Sequence, residues 1–314
     1  MNMKINNNKR GGGLLCIAAA ILLLVMMDFC FGGVSAWFYH RSKYGIFHRQ
    51  QYVLNESKDD IIILGSSRAS HHYVPSIISD SLGMSCYNAG SEGMCIYYHY
   101  AMLAAMIERG HCPKVVIYDV MNLDAFETPG PTFTLDAALD RLAPHYGEYK
   151  CVDSLFTLKG WKEKLKLMSL SYRYNSKLVQ SIKCNFIPLQ EDNGYEKING
   201  KLADTTAFEE RDYYKGALDQ EKLRYIQKMI DLAKCNQIGL LFVLSPNYYS
   251  NPSNGYDAIK EKAVIKGIPF IDCYNEPEFM KKEYFRDVMH LNDEGAHLWT
   301  AYLAHILREK LNVE

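Results

Sequence analysis

The chain has 314 residues, 48% of them hydrophobic, with 35 Lys and Arg against 36 Asp and Glu. That is enough apolar material for one sizeable core or two small ones. The formal charge of -1 excludes the basic surplus of a nucleic-acid binder, so no nucleic-acid partner is expected. The nine cysteines include no Cys-x-x-Cys pair, which argues against a zinc knuckle or a thioredoxin-type site.

The N-terminus reads as a membrane signal. Lys4, Lys9 and Arg10 precede an unbroken apolar run from Leu14 to Met27. The run alone is short for a span, but counted through Asp28 to Tyr39 it reaches the ~20 residues a helix needs to cross a bilayer. Trp37, Phe38 and Tyr39, with Arg41 and Lys43 beyond, have the order of an interfacial aromatic belt. The favoured reading is an uncleaved signal-anchor over residues 1–40. Its slight excess of basic residues on the N-terminal side leaves the N-terminus in the cytoplasm and residues 41–314 outside, as a single-pass cell-membrane protein. The alternative is a secreted protein cleaved near Ala36, where Val34-Ser35-Ala36 offers a processing site.

Beyond the anchor, "DIIILG" at 60–65 is a short buried strand, "SSRASHH" a loop, and "VPSIISDSLG" a short helix ending at Gly83. A second short strand lies in "MSCYNAG", a helix over 94–110 stops at Gly110, and "PKVVIYDV" at 113–120 is a third strand. Strand and helix alternating at this spacing imply crossovers and a parallel sheet. The rhythm breaks over about 125–215, where one helix near 159–182 is expected within an insertion or lid. It returns with a helix in 217–235, strand 238–245, a helix around 256–266 and "IPFID" at 268–272. In the last helix, Trp299, Tyr302, Leu303, Ile306 and Leu307 mark one buried face. The fold class is therefore α/β, three layers with a mostly parallel sheet of flavodoxin-like type, plus the N-terminal membrane helix and the mid-chain insertion.

Ligands of open parallel sheets sit beyond the C-terminal strand ends, so the residues just after strands carry the interest. Acyl transfer needs a nucleophile, a base, a group orienting the base, and oxyanion donors. Ser67 follows the first strand, and His290 can take its proton. Asp287, three residues earlier, can hold the imidazole and stabilise its charged form. The Ser67 and Gly93 backbone N–H groups and the Asn122 amide are the candidate oxyanion donors. Each residue also has an ordinary reading: Ser67 as a turn residue, Gly93 as a glycine needed for backbone conformation, Asn122 as a turn closer, Asp287 and His290 as loop polars before a helix capped by Asn292. Their joint placement at strand ends favours chemistry.

Taken together these residues resemble the SGNH, or GDSL-type, hydrolase superfamily. Four blocks appear in order. "LGSSRA" at 64–69 puts the nucleophile on Ser67, and "NAGSEG" at 88–93 puts an oxyanion donor on Gly93. "VVIYDVMNLD" at 115–124 puts the family's asparagine on Asn122, and "DVMHLNDEG" at 287–295 supplies the Asp-x-x-His-Leu pair. The resemblance spans roughly 60–124 and 236–311. Ser66 stands where the Gly-Asp-Ser form has an acid, and the third block lacks the usual Gly-x-Asn-Asp, Met121 preceding Asn122 and Leu123 separating it from Asp124. Asp119 is a further candidate for shaping the site.

The resemblance implies a serine esterase outside the cytoplasm that removes acyl groups, acetyl above all, from a glycan, an envelope polymer or a small ester. It needs no cofactor and no metal. One alternative is an O-acyltransferase acting on exported polysaccharide beside a membrane partner that delivers the acyl donor. Another is a non-catalytic glycan-binding or assembly protein on the same fold. Arg68 and His71 are weaker candidates for substrate contact, the ordinary reading being loop polars.

Overall fold

A computed structural model describes residues 7–120, 127–128, 134–175, 177–207, 217–248 and 254–311. The first described element is helix α1 (Asn7–His40), within which Gly12–His40 is long and apolar enough to cross a membrane. This one N-terminal apolar helix is consistent with a signal sequence or an anchor. Helix α2 (Gly45–Asn55) leads to strand β1 (Ile61–Leu64), helices α3 (Ser67–His72) and α4 (Pro75–Leu82), strand β2 (Cys86–Asn88), helix α5 (Ile96–Glu108) and strand β3 (Val115–Asp119).

Next come strand β4 (Glu127–Thr128) and five short helices: α6 (Leu135–Leu142), α7 (Lys150–Phe156), α8 (Trp161–Lys166), α9 (Leu170–Arg173) and α10 (Leu178–Phe186). The two-residue strands β5 (Glu191–Asp192), β6 (Tyr195–Glu196) and β7 (Ala217–Leu218) follow. The chain closes with α11 (Gln220–Cys235), β8 (Gly239–Leu244), α12 (Asn254–Ile265), β9 (Phe270–Asp272) and α13 (Asp293–Leu311).

Five strands form one parallel sheet in the order β2-β1-β3-β8-β9. Its inner strands are largely apolar because both faces are covered, Asp119 at the end of β3 being the charged exception. Ile62, Leu64, Val116, Tyr118, Leu240 and Phe242 point into a core shared with α2, α5 and α11. Ile61, Ile63, Val115, Ile117, Leu241 and Val243 point into the opposite core, beneath α4 and α13. The expected α/β class, with a five-stranded parallel sheet between helical layers, is what the chain adopts. Strand order reverses between β1 and β3, so the crevice beyond their C-terminal ends is the topological switch point.

Two local expectations differ. "SSRASHH" is not a loop: from Ser67 onward it is helix α3. The single helix expected near 159–182 is broken into α8, α9 and α10. Gly160, at φ +79, ends the preceding turn, and the Ser169 side chain caps α9 by accepting the Tyr172 N–H. Between β5 and β6, Asn193 and Gly194 have φ of 45 and 89, the two left-handed positions of a tight hairpin. The hairpin tip docks on the main sheet, where the Asn193 carbonyl accepts the Asn88 N–H at 2.8 Å.

Candidate active site

Ser67 is the first residue of α3, three residues past the end of β1. The chain can turn so sharply because Gly65 has no side chain. A Cβ there would lie 2.7 Å from the Ala69 Cβ and 3.1 Å from the backbone oxygen of Asp119. The half-buried Ser67 hydroxyl is 2.8 Å from His290 Nε2. On the other side of the ring, His290 Nδ1 is 3.0 Å from both carboxylate oxygens of Asp287. A carboxylate can only accept, so Nδ1 carries the proton and Nε2 is left to accept from the serine. Asp287 Oδ1 also receives the backbone N–H groups of Met289 and His290, at 2.9 and 3.0 Å. Partial burial raises the Asp287 pKa, but the His290 ring and these two N–H groups outweigh it and hold the carboxyl below its ordinary value.

The loop that carries His290 is pinned from several directions. Phe285 and Leu291 pair as a bridge, the Arg286 N–H donates to the His290 carbonyl at 2.8 Å, and the Tyr248 N–H donates to the Val288 carbonyl at 3.0 Å. Asn292 caps α13, its Oδ1 accepting the Gly295 N–H at 3.0 Å. The Leu291 N–H donates to His72 Nε2 at 3.0 Å, and His72 belongs to the same helix as Ser67. With Nε2 accepting, His72 donates from Nδ1 to Ser245 Oγ at 2.9 Å. Burial and the neighbouring positive charge of Arg68 push the His72 pKa well below its ordinary value, so the ring stays neutral and can keep accepting.

Arg68 lies beneath the site. Its Nε and Nη2 donate to Ser245 Oγ at 3.1 and 2.8 Å, Nη2 also donates to the Ser245 carbonyl at 2.5 Å, and Asp119 is 3.7 Å away. Asp119 is fully buried and accepts the Tyr73 hydroxyl. Burial opposes the Arg68 charge, but Asp119 more than compensates, and its pKa is raised. The Arg68 side chain is only 4% exposed, so it faces the protein interior and braces α3 against the ends of β3 and β8.

His71 is also buried, its ring 5.8 Å from that of His290. Its Nδ1 donates to the Glu196 carbonyl at 2.7 Å, and its Nε2 is 2.7 Å from Glu92 Oε1. Burial lowers the His71 pKa, but these two acceptors outweigh it and raise it overall. The bond from His71 in turn lowers that of Glu92. One ligand atom each from His71, Glu92 and Glu196 lie within 4.8 Å of one another. These groups already satisfy each other, however, and Arg49 sits 2.5 Å from the Glu196 carboxylate, so the cluster reads as an ion-pair network.

Gly93 has φ +70 and sits at the third position of a turn closed by the Met94 N–H on the Ser91 carbonyl at 3.2 Å, a place that favours glycine. That loop is held to the nucleophile turn by the Ser91 N–H on the Gly65 carbonyl at 2.9 Å. Asn122, the remaining oxyanion candidate, lies outside the described residues. The structure thus brings Ser67, His290 and Asp287 into one relay and places Arg68 below and His71 beside it.

Three contributors were missed in the sequence reading. Asn88 donates from Nδ2 to the carbonyls of Ala69 and Tyr73 at 2.7 and 2.9 Å, fixing α3 from below. Glu196 accepts from His71 through its carbonyl, and Arg49, from α2, pairs with the Glu196 carboxylate. Asn88 opens the "NAGSEG" block, so a signal for it existed; nothing in the sequence pairs Arg49 with Glu196.

No family model matches the chain, and no curated protein matches it. Among solved structures, a GDSL-like lipase from Bacteroides thetaiotaomicron is 12% identical, covers 85% of this chain and 100% of its own, and superposes with a TM-score of 0.41. A protein from Bacteroides fragilis assigned as an acylhydrolase is 14% identical, with coverages of 83% and 95% and a TM-score of 0.40. A protein from Desulfitobacterium hafniense assigned to the G-D-S-L family of lipolytic proteins is 12% identical, with coverages of 79% and 98% and a TM-score of 0.39. The chain is distantly similar in structure to GDSL-like lipases and acylhydrolases.

Proposed function

We propose that the protein is a membrane-anchored serine ester hydrolase of SGNH type acting outside the cytoplasm on acylated glycans, envelope polymers or small esters. The observation that carries this reading is the continuous relay of Ser67 Oγ, His290 Nε2, His290 Nδ1 and the Asp287 carboxylate, at 2.8 and 3.0 Å. Ser67 Oγ bonds to the acyl carbon while its proton passes to His290 Nε2. The imidazolium then gives that proton to the departing alcohol oxygen, leaving an acyl-serine. A water molecule loses a proton to the same nitrogen, attacks the acyl carbon and releases the acid, and Ser67 recovers its proton. Asp287 stays ionised throughout and offsets the transient charge on the ring. The Ser67 and Gly93 N–H groups, with Asn122, are the proposed donors to the oxyanion.

A serine-directed fluorophosphonate applied to the full chain in detergent tests the reading. Labelling that disappears in Ser67→Ala is the expected result, and absence of labelling in folded wild-type protein would overturn it.

One observation favours a second reading, O-acyl transfer to a sugar hydroxyl in place of water. The last turns of α1 are built into the folded domain, Tyr39 being fully buried against Phe47 and Tyr174. That packing supports a retained anchor, and so a site working beside a membrane partner that supplies acyl groups. Acyl release that rises when a sugar acceptor is added, with acylated sugar as product, distinguishes transfer from hydrolysis.

A further inference from the structure

We infer that residues 158–189 form a collar around the domain end of α1, with α8 and α10 seated in the lipid leaflet on the domain's side of the membrane. The inference rests on the anchor reading and goes beyond it by assigning a second membrane-binding element. Outside α1, the exposed large apolar residues among those described concentrate in this segment, the exceptions being Val264, Ile265 and Leu298. Trp161 and Leu165 share one face of α8, with Met168 just beyond its end, and Val179, Ile182 and Phe186 form one stripe along α10. Trp161 and Phe186 are 69% and 70% exposed, large rings left uncovered on both helices.

The position of this surface relative to α1 names its occupant. Asp28 accepts from the Ser169 hydroxyl, and from the Leu170 and Ser171 N–H groups at 3.0 Å each. A Cβ on Gly32 would lie 2.4 Å from the Leu170 Cβ, so that glycine permits the close approach of α9. Higher on α1, Asn185 Nδ2 donates to the Phe38 carbonyl at 2.8 Å, and the Phe38 and Phe186 rings are 6.5 Å apart. The segment is therefore bound to α1 between Asp28 and Phe38.

The apolar run Leu14–Met27 covers about 21 Å at ~1.5 Å per residue, short of a hydrocarbon core of ~30 Å. A span must take its remaining length from the turns just after Met27, the level at which the segment is attached. A bare carboxylate at that depth is costly. Here three donors from the segment satisfy Asp28, and the α10 stripe ends beside Phe38, in the turns that complete the span. The exposed Lys162, Lys164 and Lys183 supply the positive rim that suits anionic headgroups.

The three tryptophans, Trp37, Trp161 and Trp299, provide the test, because Trp299 is fully buried and serves as a constant background. The full chain is reconstituted in phosphatidylcholine and phosphatidylglycerol vesicles in which the phosphatidylcholine is brominated high on its acyl chains. Trp37→Phe leaves Trp161 as the reporter of the collar, and Trp161→Phe leaves Trp37 as the reporter of α1. Both reporters should lose most of their emission. Val179→Glu combined with Phe186→Glu should weaken quenching of Trp161 and spare that of Trp37. Quenching of Trp37 with Trp161 unaffected would overturn the collar while leaving the anchor, and is also the result if a second copy or another protein covers this face. Failure of both reporters to quench would overturn the anchor reading and the collar with it.

Discussion

The strand-end cluster around Ser67 and the helical segment at 158–189 dispose of awkward groups in opposite ways. Around Ser67, charged and polar side chains are taken inside and given partners: Arg68 has Asp119 and Ser245, His72 has Ser245 and the Leu291 N–H, and Tyr73 has Asp119. In the segment, several large apolar side chains, Trp161, Met168 and Phe186 among them, are sent outward and left mostly exposed. A buried polar group without a partner is expensive, which is why most polar atoms of the first region are bonded to one another, Ser66 Oγ and Asp119 Oδ1 being exceptions among the described residues. An exposed Phe or Trp becomes favourable only when something other than water meets it. The two regions thus answer to different surroundings, a packed interior and an apolar exterior.

The largest effect belongs to the relay. Ser67→Ala should reduce ester turnover by about 10³-fold or more, and Asp287→Asn, which no longer holds the ring with the same charge, by about 10²–10⁴-fold. Turnover of p-nitrophenyl acetate, with circular dichroism to follow the fold, checks both. A loss under about tenfold in either folded variant would mean that the network does not serve catalysis.

Next in size is Arg68→Met, which leaves Asp119 buried without its cation and should cost about 3–5 kcal/mol in denaturant unfolding. A near-neutral result would show that the interior network is not what holds this region.

The pH dependence of stability separates the two histidines. His72 is depressed in the folded state, so its contribution is fully present above the ordinary histidine value of about 6.5 and is lost as pH falls below it. His71 is raised, so its contribution is fully present below that value and is lost as pH rises through its folded pKa. Asp287 is depressed, and its contribution is lost only in the lower carboxylate range. His72→Gln, keeping an acceptor for Leu291, should flatten the loss of stability between pH 7 and 5 by about 1–2 kcal/mol. Unfolding midpoints across that range measure it, and an unchanged slope would contradict the neutral, buried His72.

The smallest expected effect sharpens the contrast between the regions. Phe242→Ala, in the core, should cost about 3–5 kcal/mol. Phe186→Ala, on the exposed stripe, should cost within about 0.5 kcal/mol in detergent. Equal costs would show that residue 186 is covered by protein.

Much of the sheet was legible because its signals are local. Runs such as Ile61–Leu64 and Leu240–Leu244 are apolar at every position, as strands buried on both faces are, and Gly83, Asp219 and Asn292 mark helix ends. The helix at Ser67–His72 was not legible, since six polar-rich residues have no periodic stripe to read. At the break between α8 and α9, Asp28 receives the N-terminus of α9, a contact with a residue 142 positions away at Leu170.

By itself the sequence determined the α/β alternation, the apolar N-terminal helix, and which serine, histidine and aspartate stand near strand ends, because hydrophobic period, caps and turn residues act over a few positions. Only the tertiary structure decided that Ser67 meets His290 across 223 positions, that Arg68 and His72 turn inward, and that the segment at 158–189 clasps α1. Those outcomes depend on burial and on partners brought from distant parts of the chain, and neither is a property of any short stretch.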